Sequence, residues 1–479
     1  MQKTRLSPRF WLALTIFSLI GQIAWVVENM YFNVFIYKMF RASAADISLM
    51  VAASAVAATV TTLLIGALSD KLGKRKLFIC GGYILWGISI WSFALLRVDV
   101  ISSLFPMAAS AASVGVTLVI VMDCVMTFFG SSANDACFNA WLTDSTDATN
   151  RGSAEGLNAM MPLLAILVVF GGFMGFDLDR AESWTVIYGI IGTVVLAAGV
   201  AGLFLIRDTG VKTADNQNYF KNIFYGFRPS VVRENRVLYA VLAAYAVFGI
   251  SIQIFMPYLI LYYNVSLGMQ NYVIIMAPAI VLAAVVTLFY GKLYDRLHFQ
   301  KTVLPAIGLL MLGYVLLYFF KSTLPVFLGS LLMMSGYLAG MAVFGAMLRD
   351  RTPEHRAGMF QGLRIVGQVL IPGIIGPAIG AAVLKNAQTV VNDDGTTSFV
   401  PNANIFLAAF LAAGVAAVGR PRGFSGGCAA LLPPPVYLTG GLCEKPRDFA
   451  LRRGRSDCGG LAQRCSPRCA RRRLRAVFL

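Results

Sequence analysis

The chain has 479 residues, of which 58% are hydrophobic and only 13% are charged, and its mean hydropathy is +0.71. Roughly a quarter of the residues of a soluble globular protein are charged, so this composition excludes that class. The formal net charge of +17 does not indicate nucleic-acid binding, because ten of these charges come from residues 420–479, where 13 basic residues face three acidic ones.

Apolar segments follow one another along the whole chain, each close to the roughly 20 residues that a helix needs to cross a bilayer. The alternating pattern of barrel strands is absent. The first segment is too long and too polar for a cleavable signal peptide, and the last stops early, at Val418. We predict an all-α membrane protein with twelve transmembrane helices, the last one truncated. The predicted spans are 10–36, 46–68, 78–96, 113–142, 157–176, 184–206, 237–263, 272–291, 302–320, 325–348, 361–384 and 403–418.

The Lys and Arg residues between these spans predict the orientation. With both termini in the cytoplasm, twenty of them fall on the cytoplasmic side and six on the outer side. Cytoplasmic loops carry such an excess of positive charge. We therefore predict a multi-pass protein of the cell membrane with both termini inside.

Two loop signatures occur twice, a little over two hundred residues apart. Gly66-Ala67-Leu68-Ser69-Asp70 returns as Gly291-Lys292-Leu293-Tyr294-Asp295. Asp144-x-Thr146 with Glu155 returns as Asp350-x-Thr352 with Gln361, eleven positions after the Asp in both copies. Duplicated membrane units of this kind build many secondary transporters. We predict two pseudo-repeated six-helix bundles, residues 1–206 and 237–418, joined by a cytoplasmic loop over 207–236.

The tail, residues 419–479, has a different composition. Its last 60 residues contain 12 Arg and five of the eight Cys. A metal site or an RNA- or lipid-binding tail would account for this, but Cys458, Cys465 and Cys469 lack the close pairing of common zinc sites. The alternative is a disordered, out-of-frame segment. We predict no metal site and no cofactor.

The first of these loops carries a known motif. Gly66-x-Leu68-Ser69-Asp70-Lys71-x-Gly73-Lys74-Arg75 closely resembles the signature loop of the major facilitator superfamily. The resemblance covers residues 1–418 and implies a small-molecule transporter in which this loop gates access. The second copy is degraded, because it has Leu297-His298 and lacks the Gly-basic pair. The residues predicted to serve this gating are Gly66, Asp70, Gly73, Arg75, Gly291, Asp295, Arg151, Arg356 and Arg364.

Three shorter patches resemble one branch of that superfamily. Gly21-Gln22-x-Ala24-Trp25, Lys71-x-Gly73-Lys74-Arg75 and Asn139-Ala140-x3-Asp144 look like the corresponding segments of sucrose-type sugar–cation symporters, within the glycoside–pentoside–hexuronide group. Asn139 stands where those symporters carry Arg. A sodium site of that group's kind is not supported, because Asp46 and Asp70 only flank the second span.

Three acidic residues lie inside predicted spans: Glu28, Asp123 and Asp135. A carboxyl group in hydrocarbon is costly unless it is neutral, paired or beside a cavity, so these are the candidates for proton coupling. Asp123 and Asp135 are roughly 120° apart around a regular helix and need not face one cavity. Asp135 could instead be a structural partner of Arg364 or of a basic loop residue.

Polar side chains share one face of the first span. They follow i, i+3, i+7, i+11 spacing, and Glu28 lies beside this face; the residues are Gln22, Trp25, Asn29 and Asn33. Amides suit sugar hydroxyls and an aromatic ring suits the C–H face of a sugar. The same face could instead join helices. The C-terminal half offers no comparable acid, and its cavity candidates are Gln253, Tyr258 and Gln368.

These features predict a secondary active transporter that takes up a sugar or glycoside with a proton by alternating access. A drug or metabolite exporter, a non-transporting sensor and an inactive product remain alternatives. Enzyme activity is not expected, because the two histidines, His298 and His355, fall in predicted cytoplasmic loops and no nucleotide-binding loop is present.

Overall fold

The structure is a computed structural model that describes residues 6–107, 110–147, 150–208, 227–351, 363–392 and 396–418, apart from the side chains at positions 152, 295, 298, 349 and 350. The tail, residues 419–479, and Arg356 lie outside these residues. All the described residues belong to one compact unit, Met1–Phe424.

Long helices dominate the described part of the chain. In order they are α1 (Pro8–Phe40), α2 (Ala44–Leu72), α3 (Arg75–Phe93), α4 (Ala111–Asp144), α5 (Arg151–Phe173), α6 (Ala181–Leu205), α7 (Arg236–Ser266), α8 (Tyr272–Tyr294), α9 (Phe299–Phe319), α10 (Thr323–Arg351), α11 (Leu363–Leu384) and α12 (Asn404–Val418). Short helices occupy Val98–Leu104 and Pro229–Glu234. The strands β1 (Thr389–Val391) and β2 (Thr397–Phe399) form an antiparallel hairpin between α11 and α12, with Val390 opposite Ser398.

The predicted all-α membrane fold is confirmed. Eleven helices among the described residues are long and apolar enough to cross a membrane, and α12 is apolar but only 15 residues long. Large apolar side chains such as Leu64 and Leu68 on α2 remain exposed on the bundle surface. A lipid environment accommodates such a surface, because the helices satisfy their own backbone hydrogen bonds.

Helix α2 illustrates how local sequence sets the helix ends. Ser43 caps its first turn and forms a capping box with Asp46, which satisfies otherwise unpaired backbone N–H groups. At the other end Gly73 adopts a left-handed conformation with φ of 64° and donates its N–H to the Ser69 carbonyl. A residue with a Cβ is disfavoured in that conformation. The glycine therefore places Arg75 at the start of α3.

The helices pair in the same way in the N-terminal half (α1–α6) and the C-terminal half (α7–α12). Helix α1 packs on α5, α2 on α4 and α3 on α6, while α7 packs on α11 and the α8–α9 segment packs on α10 and α12. Between the halves, α2 contacts α11 and α5 contacts the α8–α9 segment. The predicted duplication of a six-helix unit is thus visible in the packing.

Hydrogen bonds join the halves at the end of the bundle that carries Phe40 and Ala44, which we call the distal face. Tyr258 donates to the Ala44 carbonyl at 3.0 Å, and the hydroxyl groups of Tyr272 and Tyr31 are 3.1 Å apart. Tyr37 donates to the carbonyl of Phe399, in the hairpin, at 2.6 Å. The opposite end, which carries Pro8 and Arg75, is called the terminal face.

One prediction about a loop is wrong. Helical backbone continues without a break from Tyr272 to Phe319, so Gly291, Asp295 and His298 lie in helical turns and not in an irregular loop. His298 stands at the position equivalent to Gly73 in the first copy, where the left-handed glycine ends α2. Without that glycine, the second copy has no equivalent helix stop.

Helices α9 and α10 cross at small residues. A Cβ added to Gly336 would lie 2.6 Å from the Leu310 Cα, and one added to Gly313 would lie 2.7 Å from the Met333 Cα. We expect Gly336→Val to push the helices apart and to cost about 1–3 kcal/mol of stability. Thermal unfolding in detergent measures this. Gly308→Val is the matched control on α9, since nothing lies within 4 Å of that position; equal melting temperatures for the two variants would contradict the expectation.

The distal contact of Tyr258 yields a second prediction. Tyr258→Phe removes a hydroxyl group that forms a hydrogen bond between the halves. Such a hydrogen bond contributes about 1 kcal/mol, so its loss should shift the equilibrium between distally closed and distally open states about fivefold toward the open state. The measurement is the labelling of Met50→Cys by a membrane-impermeant maleimide, in a background without native cysteines. Tyr262→Phe is the control, because Tyr262 bonds the Leu317 carbonyl within its own half. Equal labelling in both variants would refute a gating role for the Tyr258 hydroxyl.

Candidate functional site

A cavity of about 250 Å³ lies between the two halves, near the middle of the bundle. Five helices contribute to it: α1, α2 and α4 from the N-terminal half, and α7 and α11 from the other. It is lined by Trp25, Glu28, Asn29, Met50, Val51, Ser54, Ala55, Ala58, Asp123, Thr127, Asp135, Gln253, Gln368, Val369 and Gly373. All three predicted acidic residues are among them.

Glu28 is held by hydroxyl groups from two other helices. The Ser54 and Thr127 hydroxyls each lie 2.8 Å from Glu28 Oε1 and 2.7 Å from each other. The side chain is 7% exposed, and Oε2 is buried without a hydrogen-bond partner among the described residues. Glu28 therefore connects α1, α2 and α4 at the cavity wall.

Asp123 and Asp135 both face this cavity, although a regular helix would separate them by roughly 120°. The reason is a π-helical stretch, Ser131–Phe138, which has a wider turn and rotates less per residue than an α-helix. Asp123 is 2% exposed and its Oδ1 has no partner among the described residues, while Asp135 accepts a hydrogen bond from Ser131 at 2.9 Å. Asp123 and Glu28 line the same cavity.

The predicted polar face of α1 is only partly in the cavity. Trp25 and Asn29 line it, whereas Gln22 and Asn33 do not. The π-helical stretch Val27–Tyr31 changes the register between Trp25 and Asn33, and Asn33 is fully buried with its amide donating to the Asn29 carbonyl at 2.9 Å. The Trp25 ring contacts Trp86, with ring centres 5.1 Å apart.

The C-terminal half supplies two amides. Gln253 of α7 and Gln368 of α11 line the cavity, and Arg364 donates from Nε to Gln368 Oε1 at 3.3 Å. The amide nitrogen of Gln368 is buried without a partner among the described residues. Tyr258 does not line the cavity: it is fully buried at the distal contact, where its hydroxyl bonds the carbonyls of Ala44 and Pro377. The predicted pairing of Asp135 with Arg364 is not among the ion pairs of the described residues.

The predicted gating motif forms an ion cluster at the terminal face. The Arg75 side chain, 4% exposed, bonds Asp144 at 3.2 Å, Ser69 at 2.5 Å and also Asp70. These residues come from α2, α3 and α4, so the cluster lies within the N-terminal half. It joins Asp144 of the second repeated signature to Asp70 of the first.

Of the other predicted gating residues, Gly66 contacts this cluster, since its carbonyl accepts a hydrogen bond from Ser69 at 3.0 Å. Arg151 is exposed and bonds the carbonyls of Thr143 and Thr146 at 3.0 and 3.1 Å. A Cβ added to Gly66 would lie 4.0 Å from the Ala136 side chain. A Cβ added to Gly291 would have no neighbour within 4 Å outside its own helical turns, among the described residues. Arg364 lies near the cavity instead.

Sequence reasoning missed Ser54 and Thr127. A hydroxyl residue in an apolar span is common and carries no signal by itself. Thr127 does lie four residues after Asp123, on the same face of α4, which could have drawn attention to it. Ser54 could not be linked to Glu28 without the packing of α1 on α2.

The ion cluster yields a stability prediction. Arg75→Met would leave Asp70 and Asp144 without this partner, so we expect a loss of about 1–3 kcal/mol in stability, measured by thermal unfolding. Lys71→Met removes an exposed positive charge from the last turn of α2, close to the cluster in sequence, and should change stability by less than about 0.5 kcal/mol. A loss as large in Lys71→Met would attribute the effect to loop charge and not to the cluster.

Comparison with known proteins identifies a family for this chain. The family model described as Major Facilitator Superfamily matches residues 10–377. No curated protein matches the sequence.

Among solved structures, the fold is similar to those of three transporters. These are the nucleoside transporter NupG (14% identity, TM-score 0.62, 85% of this chain and 97% of that one), a bacterial homolog of the human lysosomal transporter Spinster (14%, 0.64, 87% and 97%) and a D-xylose-proton symporter (13%, 0.63, 86% and 98%). At these identities the likeness concerns the fold alone. The family match covers most of the chain, and the chain belongs to the Major Facilitator Superfamily, a family of transporters.

Proposed function

We propose that this protein is a secondary active transporter that takes up a sugar or glycoside together with a proton by alternating access. The observation that carries the proposal is the contact of Glu28 with Ser54 and Thr127 beside a central cavity. We propose a location in the cell membrane with both termini in the cytoplasm, since this orientation follows the distribution of Lys and Arg.

The three oxygen atoms around Glu28 support a proton on this residue. Ser54, Thr127 and Glu28 Oε1 make three mutual contacts of 2.7–2.8 Å. Each hydroxyl has one proton to donate, so an ionised Glu28 leaves one contact without a proton. The acid form supplies the third proton, and it also removes the charge from a buried site. Glu28 is thus suited to take up a proton and carry it through an occluded state.

The neutral side chains of the cavity support a hydroxylated cargo. Asn29, Gln253 and Gln368 present amides from both halves, and Trp25 presents an aromatic surface. A volume of about 250 Å³ lies below that of drug-sized pockets, roughly 300–1,000 Å³, so the cargo is small. Two of the similar folds belong to a D-xylose-proton symporter and a nucleoside transporter, whose cargoes contain a sugar ring.

Alternating access requires the halves to move as units around the cavity. We take residues 1–206 and 237–418 as these units. The hydrogen bonds of Tyr258, Tyr31 and Tyr37 hold the halves together on the distal side. In the proposed orientation the distal face is outside, so opening these contacts would admit the cargo. The Asp70–Arg75–Asp144 cluster keeps the terminal ends of α2, α3 and α4 together as one unit moves.

Glu28→Gln tests the proton carrier. An amide cannot take up the proton, so uptake of labelled sugar into proteoliposomes under an imposed pH gradient should fall by roughly tenfold or more, which corresponds to at least about 1.4 kcal/mol of lost driving force. Counterflow, which needs no pH gradient, should persist.

The matched control is Asp99→Asn, which removes an exposed carboxyl group from the short helix after α3. This variant should retain gradient-driven uptake. Unchanged gradient-driven uptake in Glu28→Gln would reject Glu28 as the proton carrier. Uptake of the cargo under the inverted pH gradient only, as protons leave an acidic lumen, would show proton–cargo exchange and would favour an exporter.

A further inference from the structure

In the described part of the chain, the cavity is lined by acidic residues without basic ones, and a neutral cargo does not explain this imbalance. Three carboxyl groups line it, those of Glu28, Asp123 and Asp135, and no Lys, Arg or His lines it among the described residues. Arg364 does not line the cavity and bonds Gln368, which does. A charge in a membrane bundle needs a partner, and a proton on Glu28 neutralises only one of the three groups.

Two carboxyl oxygens of residues that line this cavity have no donor among the described residues. Glu28 Oε2 and Asp123 Oδ1 are buried and have no hydrogen-bond partner among the described residues, and the two side chains are 7% and 2% exposed. Buried acceptors without partners are rare in native proteins and call for an explanation. Both oxygens belong to acidic residues that line one cavity, and a donor that carries positive charge would satisfy them.

We propose that the cargo carries a protonated amine beside its hydroxyl groups, so that its class is that of small amino sugars and related hydroxylated amines. This inference deepens the proposed function and rests on it for the hydroxylated part of the cargo. An ammonium group has three N–H donors. Asp123 supplies the negative charge, and Glu28, in its acid form, supplies Oε2 as a neutral acceptor.

The division of roles between the two acids follows from their surroundings. Oε1 of Glu28 already has two hydroxyl groups at 2.8 Å, and their contacts are satisfied when Glu28 holds a proton. Asp123 then remains as the deeply buried carboxylate and pairs with the ammonium. Proton and amine therefore occupy different groups, which is compatible with their moving together.

The remaining lining residues fit the other parts of such a cargo. The Trp25 ring offers an aromatic face, to which both C–H groups and cations are attracted. Asn29 is exposed in the cavity, and Gln253 and Gln368 approach from the opposite half. Asp135, partly satisfied by Ser131 at 2.9 Å, adds negative potential that favours the entry of a cation.

Matched ligand pairs test this inference on the full chain. Binding is measured by thermal shift and by inhibition of counterflow for 2-amino-2-deoxy-D-glucose against D-glucose and N-acetyl-D-glucosamine, and for ethanolamine against ethylene glycol, at a pH that protonates the amines. We expect each amine to bind roughly tenfold more tightly than its neutral partner, because a hydrogen bond to a charged group contributes about 1.5–3 kcal/mol. In Asp123→Asn this preference should disappear.

The outcomes separate this inference from the proposed function. Equal binding of amine and neutral ligands in both pairs by the wild-type protein overturns the inference, whatever the state of the variant, and leaves sugar transport standing if D-glucose counterflows. Preference for both amines without sugar counterflow retains the amine and rejects the sugar. Stabilisation by NaCl over KCl that Asp123→Asn removes, without an amine preference, assigns the two oxygens to a sodium ion and also overturns the inference.

Discussion

Carboxyl groups inside a lipid-embedded helix bundle are costly unless they are neutral, paired or beside a polar cavity, and this constraint organises the centre of the protein. Glu28 meets it through hydroxyls from α2 and α4, each 2.8 Å from one of its oxygens. Asp123 and Asp135 meet it by facing the same cavity. The acids thereby tie three helices of one half together and concentrate the chemistry of the molecule on that half.

Departures from regular α-helix make this concentration possible. Helices α1, α4, α7 and α11, which all contribute to the cavity, contain the π-helical stretches Val27–Tyr31, Ser131–Phe138, Tyr262–Ser266 and Val366–Leu370. Such insertions alter the direction of side chains and are frequent at functional sites. Here they bring Asp135 onto the same cavity as Asp123 and separate Asn33 from Trp25. The apolar side chains between them still pack as a core.

The two faces of the bundle are held by different chemistry. At the distal face, tyrosine hydroxyls and backbone carbonyls join the halves, with Tyr258 and Tyr37 as donors. At the terminal face, the buried Arg75 binds Asp70 and Asp144 within one half. Neutral hydrogen bonds contribute only about 0.5–1.5 kcal/mol each, so the distal contacts are weak enough to open and reform. The ion cluster instead joins α2, α3 and α4 within one half.

Sequence alone determined the membrane class, the twelve helices with a short last one, and the three acids within the spans, because hydropathy, helix length and the cost of buried charge are local properties. It also indicated the loop at Asp70–Arg75, since a left-handed glycine stops a helix wherever it occurs. Tertiary structure decided which polar residues meet: Ser54 and Thr127 on Glu28, Tyr258 at the distal contact, and Asp123 and Asp135 on one cavity. Those meetings depend on helix packing and on π-helical turns, and a uniform period of 3.6 residues encodes neither.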